Sequence, residues 1–136
     1  NKQELACIEG GVANFFRHFT KGEGHVDIQP FPPKTRMAYS RTCISGGTHS
    51  FLVAAARGPG FGTSAIIVIT LMEGHSYKVR ASYESGQYHF TIADRTTENE
   101  FVVYKFTLPE GYYGMNIFRN EAVGPPLDLT EQLRKK

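Results

Sequence analysis

The chain has 136 residues, which suits one domain with a hydrophobic core and leaves no room for two. Hydrophobic residues make up 40%, so folding calls for neither a metal nor a dense set of disulfides. The net charge is only +2, and Lys and Arg fall singly apart from Arg134-Lys135-Lys136, so no nucleic-acid partner is expected. No run reaches the roughly 18 apolar residues of a membrane span. No signal peptide is visible, and a chain starting Asn1-Lys2-Gln3 without an initiator Met reads as trimmed at its start.

Taken in order, Leu5–Glu9 is a short apolar strand ending at Gly10-Gly11. Val12–Gly24, with Phe15, Phe16 and Phe19, fits a helical turn or an irregular strand equally well. His25–Phe31 alternates again, until Pro30, Pro32 and Pro33 remove the donors that pairing needs. Met37–Ser45 reads as the next strand, turning at Gly46-Gly47 into Thr48–Ala56, which carries His49, Phe51, Val53 and Ala55 on one face. Gly58–Thr63 is a loop tip.

The stretch Ile66–Thr97 then reads as an antiparallel meander of three strands. Ile66–Leu71 is apolar on both sides, as a central strand is. In the second run Tyr77, Val79, Ala81 and Tyr83 face inward, and in the third Tyr88, Phe90 and Ile92 do. Met72-Glu73-Gly74 and Glu84-Ser85-Gly86 have the length of hairpin turns. Glu100–Leu108 is a further strand, closed by Pro109-Glu110-Gly111. Tyr112–Phe118 is an edge strand or a packed extension, and Asp128–Leu133 a short helix with Asp128 or Thr130 as its N-cap.

About seven to eight strands at short spacing argue an all-β fold, an antiparallel β-sandwich with a short C-terminal helix, with a small β-barrel as the alternative. Residues 1–136 form a single domain on this reading, with 109–136 as a C-terminal extension.

Few residues carry chemistry. The glycine-rich loop Arg57–Ser64 lacks the GK[ST] ending of a phosphate loop and precedes a strand, not a helix. The five histidines show no metal-ligand spacing, so no metal and no cofactor are expected. No GxSxG elbow presents a serine, so the chain is not read as an enzyme. Asp94 and Glu73 read as solvated turn carboxylates, with Asp94 accepting backbone N–H groups. His49 reads as a hydrogen-bonded core histidine and His75 as exposed. Phe61 at the glycine-rich tip, and Tyr112, Tyr113 and Met115 in a Gly-flanked segment, are residue types that interfaces favour, and they are the candidate binding residues. Cys7 and Cys43, each inside a strand-like run, are either two free thiols of a cytosolic protein or one disulfide in an oxidising compartment.

The order of several short motifs resembles small, poorly characterised bacterial cell-envelope lipoproteins with a β-sandwich domain. The motifs are Cys7-Ile8-Glu9-Gly10, Val26-Asp27-Ile28, Gly47–Val53 with His49 at its third position, Glu73–Ala81, and Asp94-Arg95-Thr96-Thr97, together spanning Leu5 to Phe106. The resemblance implies an exported, periplasmic or outer-membrane-associated protein, tethered to a membrane only by lipid on a cysteine upstream of Asn1. It implies no enzymatic activity, and it favours the disulfide reading of Cys7 and Cys43.

Three functions fit this sequence. The first is a non-enzymatic adaptor that binds another envelope protein or a peptide. The second is a periplasmic inhibitor or immunity protein that blocks an enzyme with the Gly58–Thr63 loop. The third is a barrel holding a small apolar ligand.

Overall fold

Alternating apolar and polar residues lay down the two faces of each long strand in the computed structural model. It describes residues 5–10, 26–31, 41–58, 60–116 and 121–134, the side chains of 58, 115, 116 and 134 excepted. The frame is β1 (Leu5–Glu9), β2 (Val26–Pro30), β3 (Arg41–Ser45), β4 (Gly47–Gly58), β5 (Phe61–Leu71), β6 (Ser76–Glu84), β7 (Gln87–Asp94) and β8 (Phe101–Pro109). Three two-residue strands follow, β9 (Met115–Asn116), β10 (Glu121–Ala122) and β11 (Leu127–Asp128), and then α1 (Glu131–Arg134). The stretch 12–24, which sequence left undecided, lies outside the described residues, as do His25 at the start of the expected second strand, 37–40 and 117–120.

Two main sheets pack together, one in the order β3-β1-β6-β7-β8 and the other β11-β5-β4-β2, with β9 and β10 as a separate pair. This is the expected all-β sandwich. The two sheets stay separate, so the barrel alternative is not realised. Nor are the sheets purely antiparallel: β1 runs parallel to β6, and β11 parallel to β5.

The expected meander is corrected at its first turn. β5 and β6 belong to different sheets, so Met72-Glu73-Gly74 carries the chain across the sandwich instead of closing a hairpin. The corner is fixed when the Tyr77 hydroxyl accepts the Met72 N–H at 2.9 Å. The true meander is β6-β7-β8. Its first hairpin does turn at Ser85-Gly86, both with positive φ (51° and 81°), as a two-residue primed turn requires. Pro30 also departs from expectation, because it pairs with Phe51 at the end of β2. β2 is an edge strand, where proline's missing donor is tolerated.

Most inward positions named from alternation fill the core: Phe51, Val53, Tyr77, Val79, Tyr88, Phe90 and Ile92 are all at most 2% exposed, whereas Tyr83 and His49, also named inward, are only half-buried. The stretch read as an extension contributes as well, since Leu129 is buried and β11 pairs with β5. Asp128 lies on β11 and is not part of α1. Its Oδ1 accepts the Thr130 N–H at 3.0 Å, which leaves Thr130 at the helix N-cap position.

β5 shows how the open side of a strand is closed. β4 covers one side, and three separate devices cover the other. Residues 111–114 lie along its first half, β11 along its middle, and near its end the Tyr104 hydroxyl meets Thr70. That hydroxyl accepts the Thr70 N–H and donates to the Thr70 carbonyl, both at 2.9 Å, so one buried oxygen satisfies both groups. The side-chain amide of Gln132 does the same for Lys105 on β8, bonding its N–H and its C=O at 2.9 Å each. An edge treated this way has fewer open groups to template another strand.

Cys7 and Cys43 face each other directly on β1 and β3, with Cα atoms 4.0 Å apart, and form a disulfide. Their neighbours Ala6 and Ile8 point into the core, so the bridge sits on the outer face of the sheet. A disulfide of this kind belongs to an oxidising, non-cytosolic compartment. No described helix is long and apolar enough to cross a membrane.

Candidate functional site

One end of the sandwich gathers the residues with unspent hydrogen-bonding and aromatic surface. The β4–β5 hairpin, the β6–β7 turn and the turn after β8 meet there. The Glu110 N–H donates to the Gly86 carbonyl and the Gly111 N–H to the Gly62 carbonyl, each at 2.9 Å.

Arg57 is at the centre. The pairing of β4 with β5 slips between Ala56 and Gly58, so Arg57 is the extra residue of a β-bulge. A bulge re-aims the side chain it carries, and such sites are over-represented beside functional residues. The guanidinium carbon lies 4.4 Å from the ring centroid of Phe61 on its own hairpin and 4.4 Å from that of Tyr83 on the opposite sheet. Both contacts are within cation–π range.

Arg57 Nε donates to Glu110 Oε1 at 2.9 Å, and the Tyr88 hydroxyl donates to the same oxygen at 3.0 Å. Tyr83 and Tyr88 stack edge to face, with centroids 5.0 Å apart. Glu110 holds the arginine charged and raises its pKa. Burial, and then the neighbouring Glu110 carboxylate, raise the pKa of Tyr88, so it stays neutral at ordinary pH.

Close backbone approach at two glycines shapes the strands beside this cluster. A Cβ on Gly62 would stand 2.8 Å from the Ala55 carbonyl oxygen, and one on Gly114 would stand 3.1 Å from the Ala65 Cα. Bare backbone at Gly114 lets 111–114 run along β5, and bare backbone at Gly62 lets β5 lie close to β4 beside the bulge. There the Tyr112 carbonyl accepts the Ser64 N–H at 2.9 Å and the Thr63 hydroxyl at 2.8 Å, and the Gly114 N–H donates to the Ser64 carbonyl at 2.8 Å.

Three of the four binding residues named from sequence therefore belong to one region. Phe61 is 48% exposed, Tyr112 36% and Tyr113 53%. Met115 begins β9, and its side chain lies outside the described residues. Sequence reasoning missed Arg57, Tyr83, Tyr88 and Glu110 as members of the site. Arg57 and Glu110 are 53 residues apart and sit in no motif, and the two tyrosines were accounted for as core. The one available signal was an arginine immediately before a Gly-Pro-Gly tip, a position where a bulge is common.

The opposite end holds a different polar group. Asp94, read from sequence as a solvated turn carboxylate, is 4% exposed. Its Oδ1 does accept the Thr96 N–H at 3.0 Å, as expected, and also the Thr96 hydroxyl at 2.5 Å. Its Oδ2 is 2.6 Å from His75 Nδ1, which must carry the proton to face a carboxylate. His75 is accordingly half-buried, not exposed. Burial opposes ionisation of Asp94, but the hydrogen bonds from Thr96 and His75 outweigh it and lower its pKa.

The His75–Asp94 pair, together with the Thr96 bonds, ties down the start of the 95–100 loop. His49 donates from Nε2 to the Ser45 carbonyl at 2.7 Å, hydrogen-bonded as expected but half-buried, not in the core. Among the described residues no three His, Cys, Asp or Glu are grouped to hold a metal ion. No protein-family model, curated protein or solved structure matches the chain significantly.

Proposed function

We propose that the protein is a non-enzymatic adaptor of the bacterial cell envelope that docks another envelope protein or a peptide through its Arg57–Phe61–Tyr113 end. One observation carries the proposal. Exposed aromatic rings and a charged guanidinium are held on hydrogen-bonded backbone drawn from both sheets. Aromatics and arginine are the residue types that anchor interfaces, and a rigid platform loses little entropy when it binds. The disulfide fits an exported protein, and the periplasm is the compartment that the lipoprotein resemblance favours.

Affinity purification from a detergent-solubilised envelope fraction tests the reading. The wild-type protein is expected to retain one dominant partner, and the Phe61→Ser, Tyr113→Ser double variant to lose it while melting at an unchanged temperature. Retention of the same partner by the double variant would refute the assignment.

A second reading, an inhibitor that inserts the β4–β5 tip into an enzyme, draws on the tightness of that tip. Phe61 projects from it, whereas Gly62 and Thr63 are buried. Inhibition of cell-wall hydrolases at micromolar concentration would favour it over an adaptor. The third reading, a ligand held inside a barrel, loses its frame with the closed barrel.

A further inference from the structure

The docking end has a definite charge character, and it narrows the partner. Arg57 spends only Nε on Glu110; among the described residues Nη1 and Nη2 have no hydrogen-bond partner. The side chain is 33% exposed, so this donor edge is open to water. The guanidinium cannot swing freely, because Glu110 holds one edge and two aromatic rings lie against it. It is a fixed, paired donor.

Its charge is already neutralised. Glu110 sits at 2.9 Å, with its second oxygen buried and without a partner among the described residues. Glu84, exposed at the end of β6, adds another negative charge at the same turn cluster. Arg57 thus shares this end with at least two carboxylates, Glu110 and Glu84. An acidic partner would meet the donor edge but be repelled by both carboxylates, and a basic partner would have to compete with Arg57 for Glu110, leaving only the exposed Glu84, a pair worth little in water. Uncharged acceptors avoid both penalties, and main-chain carbonyl oxygens are the commonest of these in proteins.

Resting on the adaptor reading above, we infer that the partner is an uncharged, apolar peptide segment whose main-chain carbonyl accepts from Arg57 Nη. Its apolar side chains would cover Phe61 and Tyr113. Arginine serves here as an oriented donor, not as a charge. Affinity should therefore hold nearly constant with salt, unlike that of an exposed charge pair.

The test is selection from a phage-displayed random decapeptide library on the intact wild-type protein. Enriched peptides are expected to be apolar and near zero net charge. Their affinity should change less than about twofold between about 50 and about 500 mM NaCl, because exposed charge attraction is screened over that range. Arg57→Lys keeps the charge but loses the planar donor edge, and it should weaken binding about fivefold or more, as loss of one or two hydrogen bonds does.

Where Arg57→Lys loses stability, the wild-type protein supplies the second readout. Guanidinium proton exchange of Arg57, followed by NMR, should slow when peptide binds. Acidic, salt-sensitive peptides that still bind at this end would overturn the inference and leave the adaptor reading standing. Peptides indifferent to both Arg57→Lys and Phe61→Ser, or no enrichment at all, would overturn both.

Discussion

Replacing Tyr104 with Phe removes a single oxygen, and the structure says what that oxygen does. Tyr104 is 0% exposed, and its hydroxyl bonds the N–H and the C=O of Thr70 at 2.9 Å each. In the variant one backbone donor and one backbone acceptor lose their partner. Each buried group left unpaired costs about 1–3 kcal/mol, and Thr70 is only partly buried, which favours the lower half of that range. The sum is about 2–4 kcal/mol, a large share of the roughly 5–15 kcal/mol that holds a domain folded. At about 3–5 °C per kcal/mol, the melting temperature should fall by about 10 °C.

Urea unfolding of Tyr104→Phe should show a lower midpoint at an unchanged m-value, and the Thr70 amide should lose protection from hydrogen exchange. Burial raises the Tyr104 pKa, so its contribution is fully present below the unfolded value near ~10 and is lost as pH rises beyond it. A stability loss under about 0.5 kcal/mol, which is the scale of an ordinary surface change, would refute the claim that this hydroxyl closes the β5 edge.

Three other perturbations probe the frame. Asp94 has a lowered pKa, so the stability it confers is present above about pH 4 and lost as pH falls through its folded value. Acid unfolding of wild type and Asp94→Asn should therefore converge at low pH, and a constant gap would count against the His75–Asp94–Thr96 linkage. A Cβ at Gly10 would lie 2.0 Å from the Val26 carbonyl oxygen, so Gly10→Ala should cost about 2–3 kcal/mol by thermal unfolding. Reducing the Cys7–Cys43 bond, which spans 36 residues, should cost about 3–4 kcal/mol, read as a lower urea midpoint with dithiothreitol.

The strands were legible wherever one face is wet. Ser76, Lys78 and Arg80 alternating with Tyr77, Val79 and Ala81 leave one answer for which side is buried, and the structure agrees. Pairing partners were less legible, because connection length is a local property and pairing is not. Met72-Glu73-Gly74 has the length of a hairpin turn, yet a chain crossing between sheets needs no more residues. What decides is the Tyr77 hydroxyl reaching back to Met72, and the pairing of β6 with β1 from far up the chain.

The binding end was half legible. Phe61, Tyr112 and Tyr113 advertise themselves as aromatics among glycines. Arg57 acquires its role only when a bulge and a carboxylate 53 residues later bring it beside two rings. Asp94 was misjudged for a similar reason: the turn chemistry with Thr96 is local and was expected, whereas burial against His75 depends on β6 and β7 pairing in register.

The measurement that bears most directly on the account is photo-crosslinking in cells, with benzoylphenylalanine placed at Tyr113 and, as a control, at Glu98 in the exposed loop at the opposite end. The account predicts one discrete crosslinked protein from position 113, abolished by Phe61→Ser, and none from position 98. Equal crosslinking from both positions, or a product at 113 untouched by Phe61→Ser, would contradict the assignment of this end as the docking surface.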